Sequence, residues 1–216
     1  MSGKLLYLLG TTTTLPVCNT TCLNQTWSSS ALLWGAWDFE NDFSDEANNY
    51  NGTATGSPTF VQGYVNQAVY IGTASNQIVN TGNIPFANKS FSMDAWIYPT
   101  IINNTLHNAI CGSCPVGAND YCLHFTLQKS GSNYVQYLGF YGDDVSSTAP
   151  AFTAKSWVHV AVTFDTTTRT VSHYRNGVFL RSGNTTYQFK GTNGTFQIGN
   201  VPAITTGVVV TFQLSK

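Results

Sequence analysis

The stretch that decides the fold is WVHVAVTFDTTTRTVSHYRNGVFLRSG, which covers residues 157–183. Between Trp157 and Phe164, valine and phenylalanine alternate with more polar residues. A period of two in a run rich in β-branched and aromatic residues predicts a half-buried strand. The next five residues, Asp165–Arg169, are too polar to continue the strand, and they predict a loop.

Two further strands follow that loop. Thr170–Arg175 predicts one and Val178–Ser182 the other, and Asn176-Gly177 joins them. Two connecting residues that both tolerate positive φ are typical of a type I′ turn. The segment therefore predicts three strands, at least two of them in a hairpin.

The rest of the chain repeats this style, with short strand-like runs separated by Gly, Asn, Ser and Thr and no helical stretch of a dozen residues. The runs are Leu32–Glu40, Gln67–Ile71, Asn76–Val79, Phe91–Pro99, Tyr121–Gln128, Tyr134–Tyr141, Phe196–Gly199 and Val208–Leu214. Because each strand has a face to bury against a second sheet, the pattern predicts an all-β sandwich. Phe91–Pro99 is apolar on both faces, which predicts a central strand covered on both sides, with Asp94 near an end or at the edge of the cover.

Composition limits the function classes. The chain has 216 residues, of which only 9% are charged, and its net charge is −1 with nine scattered Lys and Arg. The absence of a basic run argues against nucleic-acid binding, and no apolar stretch approaches the roughly 18 residues of a membrane span. Residues 1–30 are rich in Thr, Ser and Asn and predict a disordered tail, so residues 31–216 form the predicted domain.

Seven N-x-S/T sequons favour an extracellular setting, since attached sugars would add solubility that charge does not supply. They begin at Asn19, Asn24, Asn51, Asn88, Asn103, Asn184 and Asn193. The N-terminus has an apolar run of only five residues, Leu5–Leu9, shorter than the roughly 7–15 of a secretory signal. We therefore expect either a piece of a longer protein or a misassigned start.

The five cysteines are an odd number, so at most two disulfides form within the chain and one thiol is left over. Cys18 and Cys22 lie in the tail and are one candidate pair. Cys111, Cys114 and Cys122 cluster further along. A zinc site built from these three and His124 is the less favoured alternative, because it requires tetrahedral geometry.

Five motifs in order resemble the laminin-G-like, concanavalin A-type jelly-roll family over Leu32–Asn200. They are GYVNQAVYI at 63–71, FSMDAWIYP at 91–99, WVHVAVTFD at 157–165, Y-x-N-G-V at 174–178 and FQIGN at 196–200. The resemblance implies two curved antiparallel sheets in an extracellular module. Modules of this kind bind carbohydrates, proteins or nothing known, and some use calcium at the rim, so the resemblance leaves these alternatives open.

The resemblance also implies a Cys114–Cys122 disulfide, which leaves Cys111 as the odd thiol unless it replaces Cys114. Two features depart from the family pattern. His173 and Arg175 share a face with Val171 where relatives have apolar residues, so that face is either open to solvent or part of a distorted hairpin. The last predicted strand, residues 208–214, lacks the usual G-x-I-D motif.

An acidic loop follows the first predicted strand. Five of the ten acidic residues lie between Asp38 and Glu46. Oxygen ligands without a neighbouring cation suit calcium, and the predicted ligands are Asp42, Asp45 and Glu46. The alternative is a solvated loop that binds nothing.

A binding face is predicted from the outward residues of three strands. If the apolar faces meet in the core, His124, Tyr137, Tyr141, Trp157 and His159 line the outer face of one sheet. Aromatic rings beside hydrogen-bonding groups can stack on sugars and bind their hydroxyl groups. Asp143 and Asp144, with Asp45 and Glu46, are an alternative site at the rim. Simple outward alternation of polar residues explains the same pattern without a ligand.

No catalytic motif is present in the sequence. It has no G-x-S-x-G, H-E-x-x-H or P-loop, and no strand carries the paired carboxylates of a glycoside hydrolase. The sequence therefore predicts a non-catalytic extracellular recognition or adhesion module whose partner is a glycan or an extracellular protein. A structural spacer in a mosaic protein is the alternative, and a lectin-fold hydrolase is a distant one.

Overall fold

The computed structural model describes residues 33–72, 76–100, 107–148, 151–202, 206–207 and 210–213, and in the last two ranges only the backbone. This part of the chain forms fifteen β-strands and no α-helix. The strands are β1 (Thr53–Thr55), β2 (Thr59–Gln62), β3 (Gln67–Ile71), β4 (Ile78–Asn80), β5 (Phe91–Pro99), β6 (His107–Ser113), β7 (Leu123–Ser130), β8 (Asn133–Gly139), β9 (Asp144–Ser146), β10 (Val158–Asp165), β11 (Thr170–Arg175), β12 (Val178–Asn184), β13 (Gln197–Ile198), β14 (Thr206–Gly207) and β15 (Val210–Gln213).

The strands form two sheets. One has seven strands in the order β12-β11-β10-β5-β15-β3-β2, and the other has eight, in the order β1-β4-β13-β6-β7-β8-β9 with β14 beside β6. The β14–β6 pair is parallel, whereas the other described pairs are antiparallel. Phe91 and Val160 of the first sheet share one core with Phe125 and Leu138 of the second. The predicted all-β sandwich of two sheets is confirmed.

The hairpin that decided the fold is present as predicted. In β10 and β11, Phe164 lies opposite Val171. At the turn between β11 and β12, Asn176 has φ of 49° and Gly177 of 76°, and this pair of positive φ values is what a type I′ turn requires. Strand β12 continues to Asn184, two residues further than predicted.

Strand β5 has the predicted bounds and lies between β10 and β15. Its burial alternates, however, so that Met93 and Ala95 are buried while Asp94 and Trp96 are only half-buried. The prediction of cover on both faces is wrong, and Asp94 lies in the middle of the strand. The apolar side chains on the outer face of β5 are the aromatic rings of Trp96 and Tyr98. These rings contact other aromatic side chains and, in the part of the chain that the structure describes, are not covered by a further layer of secondary structure.

The predicted first strand, residues 32–40, is wrong over its described part. Leu33 forms a single bridge and residues 34–39 are irregular. Trp37 and Phe39 are nevertheless buried in the core. Trp37 is fixed by a 2.9 Å hydrogen bond from its Nε1 to the carbonyl of Tyr50, and Phe39 has a positive φ of 57°. Since strands do not accommodate such a φ, alternation of apolar residues here reflects burial of a loop.

Strand β15 belongs to the seven-stranded sheet. Strand β15 pairs with β5 on one side and with β3 on the other, both antiparallel. Within the predicted range 208–214, a strand of four residues thus lies inside the sheet, between β5 and β3, although the family motif is missing.

His173 and Arg175 are buried on the inner face of β11. The alternative that this face is open to solvent is therefore wrong. A register shift between β11 and β12 at His173/Tyr174 supports the other alternative, a distorted hairpin.

Candidate ligand-binding site

The residues predicted to share one outer face lie on opposite sheets. His124 and Tyr137 belong to β7 and β8 of the eight-stranded sheet, whereas His159 belongs to β10 of the seven-stranded sheet and Trp157 precedes that strand. The prediction of a single face is wrong. Alternation along a strand separates inner from outer residues, but it does not say which sheet the strand joins.

A cluster of polar rings occupies the outer face of the eight-stranded sheet. We call His107, His124, Thr126, Tyr137 and Asp144 the histidine cluster. They come from the four neighbouring strands β6 to β9, and Tyr137 lies directly opposite Thr126 of β7. The outward direction follows from pairing, because the alternate residues on β7 and β8 enter the core.

The side chains of the histidine cluster contact one another closely. The rings of His124 and Tyr137 are stacked with their centroids 5.2 Å apart. His107 lies edge-on to both, at 5.9 Å from His124 and 5.3 Å from Tyr137. Its Nδ1 is 3.2 Å from Thr126 Oγ1, and His124 Nε2 is 3.7 Å from Asp144 Oδ1. The cluster therefore combines imidazole, hydroxyl and carboxylate groups in one place.

Gly139 makes this arrangement possible. It lies opposite His124 on one side and opposite Asp144 on the other. A Cβ at this position would overlap both His124 Nε2 and Asp144 Oδ1. The missing side chain therefore lets a histidine and a carboxylate from different strands approach over the backbone of the strand between them.

The histidine cluster is largely buried although it lies on an outer face. His124 is only 3% exposed, and Thr126 and Tyr137 are also buried, while the side chain of Asp144 keeps 29% of its exposure. Beside it, Ala109 packs with Cys114, Cys122 and Val201 in a small apolar group. Of the side chains of His124 and Asp144, that of Asp144 is therefore the more accessible to solvent.

Burial determines the protonation of these rings. It lowers the pKa of His124 to about 4, with His107 also lowering it and Asp144 opposing the shift. Burial likewise lowers the pKa of His107. The pKa of Tyr137 is raised by burial and by its hydrogen bond with Asp144. Near neutral pH the cluster therefore presents neutral imidazoles and a neutral phenol, which can donate or accept hydrogen bonds.

Two other predicted residues lie outside the cluster. Asp143 accepts hydrogen bonds from the backbone N–H groups of Thr186 and Tyr187, at 2.8 and 2.6 Å. It therefore anchors a loop, and these bonds lower its pKa against the opposing effect of burial. Tyr141 lies in the turn after β8 with a positive φ of 67° and is exposed.

The sequence pointed to His124, Tyr137 and Asp144 but missed His107. That residue begins β6, which was not among the predicted strands. Its position opposite Gln128 on β7 places it on the outer face, and recognition of the strand would have revealed it.

Trp157 and His159 belong to a second group on the outer face of the seven-stranded sheet. We call Tyr64, Trp96, Tyr98 and Trp157 the aromatic platform. Trp96 and Tyr98 are outward residues of β5, and Tyr64 comes from the turn between β2 and β3. His159 adjoins this platform, 5.5 Å from the Trp96 ring.

The acidic loop is organised around Asp45, which is buried. Its carboxylate accepts hydrogen bonds from four backbone N–H groups, those of Ala36, Ala47, Asn49 and Tyr50. Asp42 accepts one from Ser44. Within the described ranges no three His, Cys, Asp or Glu side chains are grouped to hold a metal ion. Calcium binding by Asp42, Asp45 and Glu46 stays a prediction.

The cysteines follow the pairing that the resemblance implied. Cys114 and Cys122 form a disulfide, and Cys111 is a buried free thiol. The zinc alternative is wrong, because two of its sulfur ligands are oxidised. Cys18 and Cys22 lie outside the described residues.

Four predicted sequon asparagines are described, and all are exposed: Asn51, Asn88, Asn184 and Asn193. Asn184 ends strand β12 instead of lying in a loop, and its Nδ2 donates to the carbonyl of Thr168. Asn19, Asn24 and Asn103 lie outside the described residues, and glycosylation stays a prediction. Among the described residues there is no helix with the length and apolarity to cross a membrane.

Solved structures with the same fold include carbohydrate-bound and toxin domains. Domain 4 of AbnA, a GH43 extracellular arabinanase from Geobacillus stearothermophilus in complex with arabinotriose, is 19% identical, covers 84% of this chain and 92% of its own, and has a TM-score of 0.64. The binding domain of paraclostridial mosquitocidal protein 1 is 13% identical over 98% of this chain, with a TM-score of 0.62. The binding domain of botulinum neurotoxin DC in complex with rat synaptotagmin II is 15% identical over 84% of this chain, with a TM-score of 0.61.

This chain matches 48% and 46% of those two toxin domains, so it spans about half their length. At these identities the likeness establishes the fold alone. No curated protein matches the chain by sequence. Residues 72–213 match the laminin G family model of the concanavalin A-like lectin/glucanases superfamily. Because this match covers more than half of the chain, the protein belongs to that laminin G family.

Proposed function

We propose that the chain is a non-catalytic recognition module that binds a glycan at the histidine cluster in an extracellular setting. The observation that carries the proposal is the burial of polar groups on an outer sheet face. Outward residues of a sheet normally meet water, and withdrawing them is costly unless a ligand or a network compensates. Perturbed pKa values within a group of polar side chains also favour a functional site.

The chemistry of the histidine cluster suits a saccharide. Neutral imidazoles and hydroxyl groups exchange hydrogen bonds with sugar hydroxyl groups, and a carboxylate such as Asp144 can accept from two of them. Aromatic edges supply apolar contact. The disulfide Cys114–Cys122 supports an oxidising, extracellular location. Neighbouring folds that carry arabinotriose or act as toxin binding domains support a binding role.

A spacer would not need this cluster. Its outer face could consist of exposed polar residues, as in most half-solvated sheets. A glycoside hydrolase would need two carboxylates about 5–10 Å apart on either side of the scissile bond. Asp143, which adjoins Asp144 in sequence, is instead bound to backbone N–H groups. Both observations favour binding without catalysis.

The test is titration calorimetry with arabinotriose, cellohexaose and 3′-sialyllactose. Tyr137→Phe removes one hydroxyl group. Asp144→Asn removes the charge but keeps one acceptor oxygen for the backbone N–H groups of Phe140 and Gly142, which donate to Asp144. We expect each to weaken binding at least tenfold while the protein retains a cooperative thermal unfolding transition. Asp42→Asn, in an exposed loop, is the matched control and should bind like wild type. Saccharide binding that is unchanged in both Tyr137→Phe and Asp144→Asn would refute the site. The absence of any saccharide binding in a broader glycan array would refute the function.

A further inference from the structure

The outer face of the seven-stranded sheet carries large aromatic rings, which a face that contacts only water does not require. Tyr64 is 56% exposed, and Trp96, Tyr98 and Trp157 are half-buried. Together they form the contiguous aromatic platform. Contiguous apolar surface of this kind marks an interaction site more often than isolated exposed side chains do.

The rings of the platform hold one another in place. Tyr64 is stacked on Trp96, with 4.5 Å between the centroids and 11° between the planes. Trp157 lies edge-on to Tyr64 at 6.4 Å, and Tyr98 lies 5.3 Å from Trp157. Tyr64 is therefore held by one ring face against Trp96 while 56% of the residue stays exposed. A prearranged surface loses little side-chain entropy when a ligand binds.

A polar pair borders the platform. His159 Nε2 lies 3.0 Å from Asp94 Oδ2, and both side chains remain partly exposed, at 23% and 16%. The backbone N–H of His159 donates to Asn176 Oδ1 at 3.0 Å. An imidazole and a carboxylate are thus fixed beside the flat ring surface, where they can bind hydroxyl groups.

We propose that the aromatic platform is a second binding site, distinct from the histidine cluster, and that it takes a neutral saccharide. One sugar ring stacks its C–H face on Tyr64, and its hydroxyl groups reach His159 and Asp94. Stacking suits a sugar because it has an apolar face and polar edges.

The observations argue against other occupants. A lipid surface would bury the Asp94 carboxylate against apolar or anionic groups at a high cost. A stable protein partner needs about 800 Å² of contact on each side, whereas four partly exposed rings match one or two sugar residues. An acidic sugar would be repelled by Asp94.

The test isolates the platform in the Asp144→Asn background, in which the histidine cluster is impaired. Tryptophan fluorescence and calorimetry are followed during titration with cellohexaose, xylohexaose and mannohexaose, and with trigalacturonate as the acidic probe. We expect a neutral hexasaccharide to bind and to shift the emission of Trp96 and Trp157. Tyr64→Ala should weaken this binding at least tenfold, whereas Tyr64→Phe, which keeps the ring, should retain most of it.

Tyr187→Ala is the matched control, since Tyr187 is a tyrosine with 54% exposure elsewhere on the surface. It should leave the binding constant unchanged. The proposal would be overturned if no neutral probe binds, or if Tyr64→Ala leaves the binding constant unchanged. It would also be overturned if the ligand whose binding depends on Tyr64 is trigalacturonate or a phosphatidylcholine–phosphatidylserine vesicle. If the histidine cluster alone does not bind glycan, Asp144→Asn will not weaken binding relative to wild type. The dependence of binding on Tyr64 would be unaffected by that outcome.

Discussion

Arg175 donates a hydrogen bond from its Nε to Oε1 of Gln136 at 3.3 Å, and the bond joins the two sheets inside the sandwich. Gln136 in turn donates to the carbonyls of Ala161 and Tyr174, at 3.3 and 3.0 Å. The guanidinium lies 3.7 Å from the centroid of the Phe152 ring. A buried cation is thus held by an amide from the opposite sheet and by an aromatic face, and burial lowers its pKa to about 10.

Replacement of Gln136 should therefore destabilise the fold strongly. Gln136→Leu keeps a similar volume but removes one hydrogen-bond partner of Arg175 and one of each of two strand carbonyls. We expect the free energy of unfolding to fall by about 3 kcal/mol, since buried polar groups lose their partners. Denaturant unfolding measures this change. Gln62→Leu, at an exposed position of edge strand β2, should change it by less than about 0.5 kcal/mol, and equal losses would contradict the role of the bridge.

Acid should destabilise the protein through His173. Its Nε2 donates to the carbonyl of Val145 at 3.0 Å, and burial lowers its pKa from 6.5 to about 4. The unfolded state therefore takes up a proton first as the pH falls. The free energy of unfolding should decrease between pH 6.5 and 4 by about 3 kcal/mol from this residue and then level off. Denaturant unfolding at several pH values measures the slope. His173→Leu should be less stable at pH 7 but have a shallower slope, and parallel profiles for the two proteins would disprove the assignment.

These interior groups show where prediction from sequence ends. The alternation in β10 and the Asn176-Gly177 turn are local signals, and both gave the correct structure. The partner of Arg175 is 39 residues away on the other sheet, and no local pattern encodes such a contact. For the same reason the outward residues of β7 and β10 were predicted correctly as outward but were placed on one sheet. Residues 34–39 show the converse case, because burial of Trp37 in an irregular segment imitates the pattern of a strand.

The acidic loop should depend on Asp45 for stability. Its carboxylate accepts four backbone hydrogen bonds in a buried position. Asp45→Asn exchanges one acceptor oxygen for a donor that faces N–H groups, so we expect a loss of about 2 kcal/mol in thermal or denaturant unfolding. Asp42→Asn, in the exposed part of the loop, is the control and should lose less than about 0.5 kcal/mol. Melting in chelator and then in millimolar calcium checks the metal prediction separately, since a bound ion would raise the midpoint. A similar loss in both variants would contradict the role of Asp45.

Gly139 should control the histidine cluster. Gly139→Ala places a Cβ against His124 Nε2 and Asp144 Oδ1, so the two side chains must separate. We expect the imidazole NMR signals of His124 to shift and glycan binding at the cluster to weaken at least tenfold. The comparison is Gly131→Ala in the β7–β8 turn, where a Cβ meets nothing within 4 Å although φ is positive at 60°. That variant lowers stability through backbone strain, yet it should leave the His124 signals and binding unchanged. If Gly139→Ala folds and keeps wild-type His124 signals, the close approach of His124 and Asp144 over this glycine is not what organises the cluster.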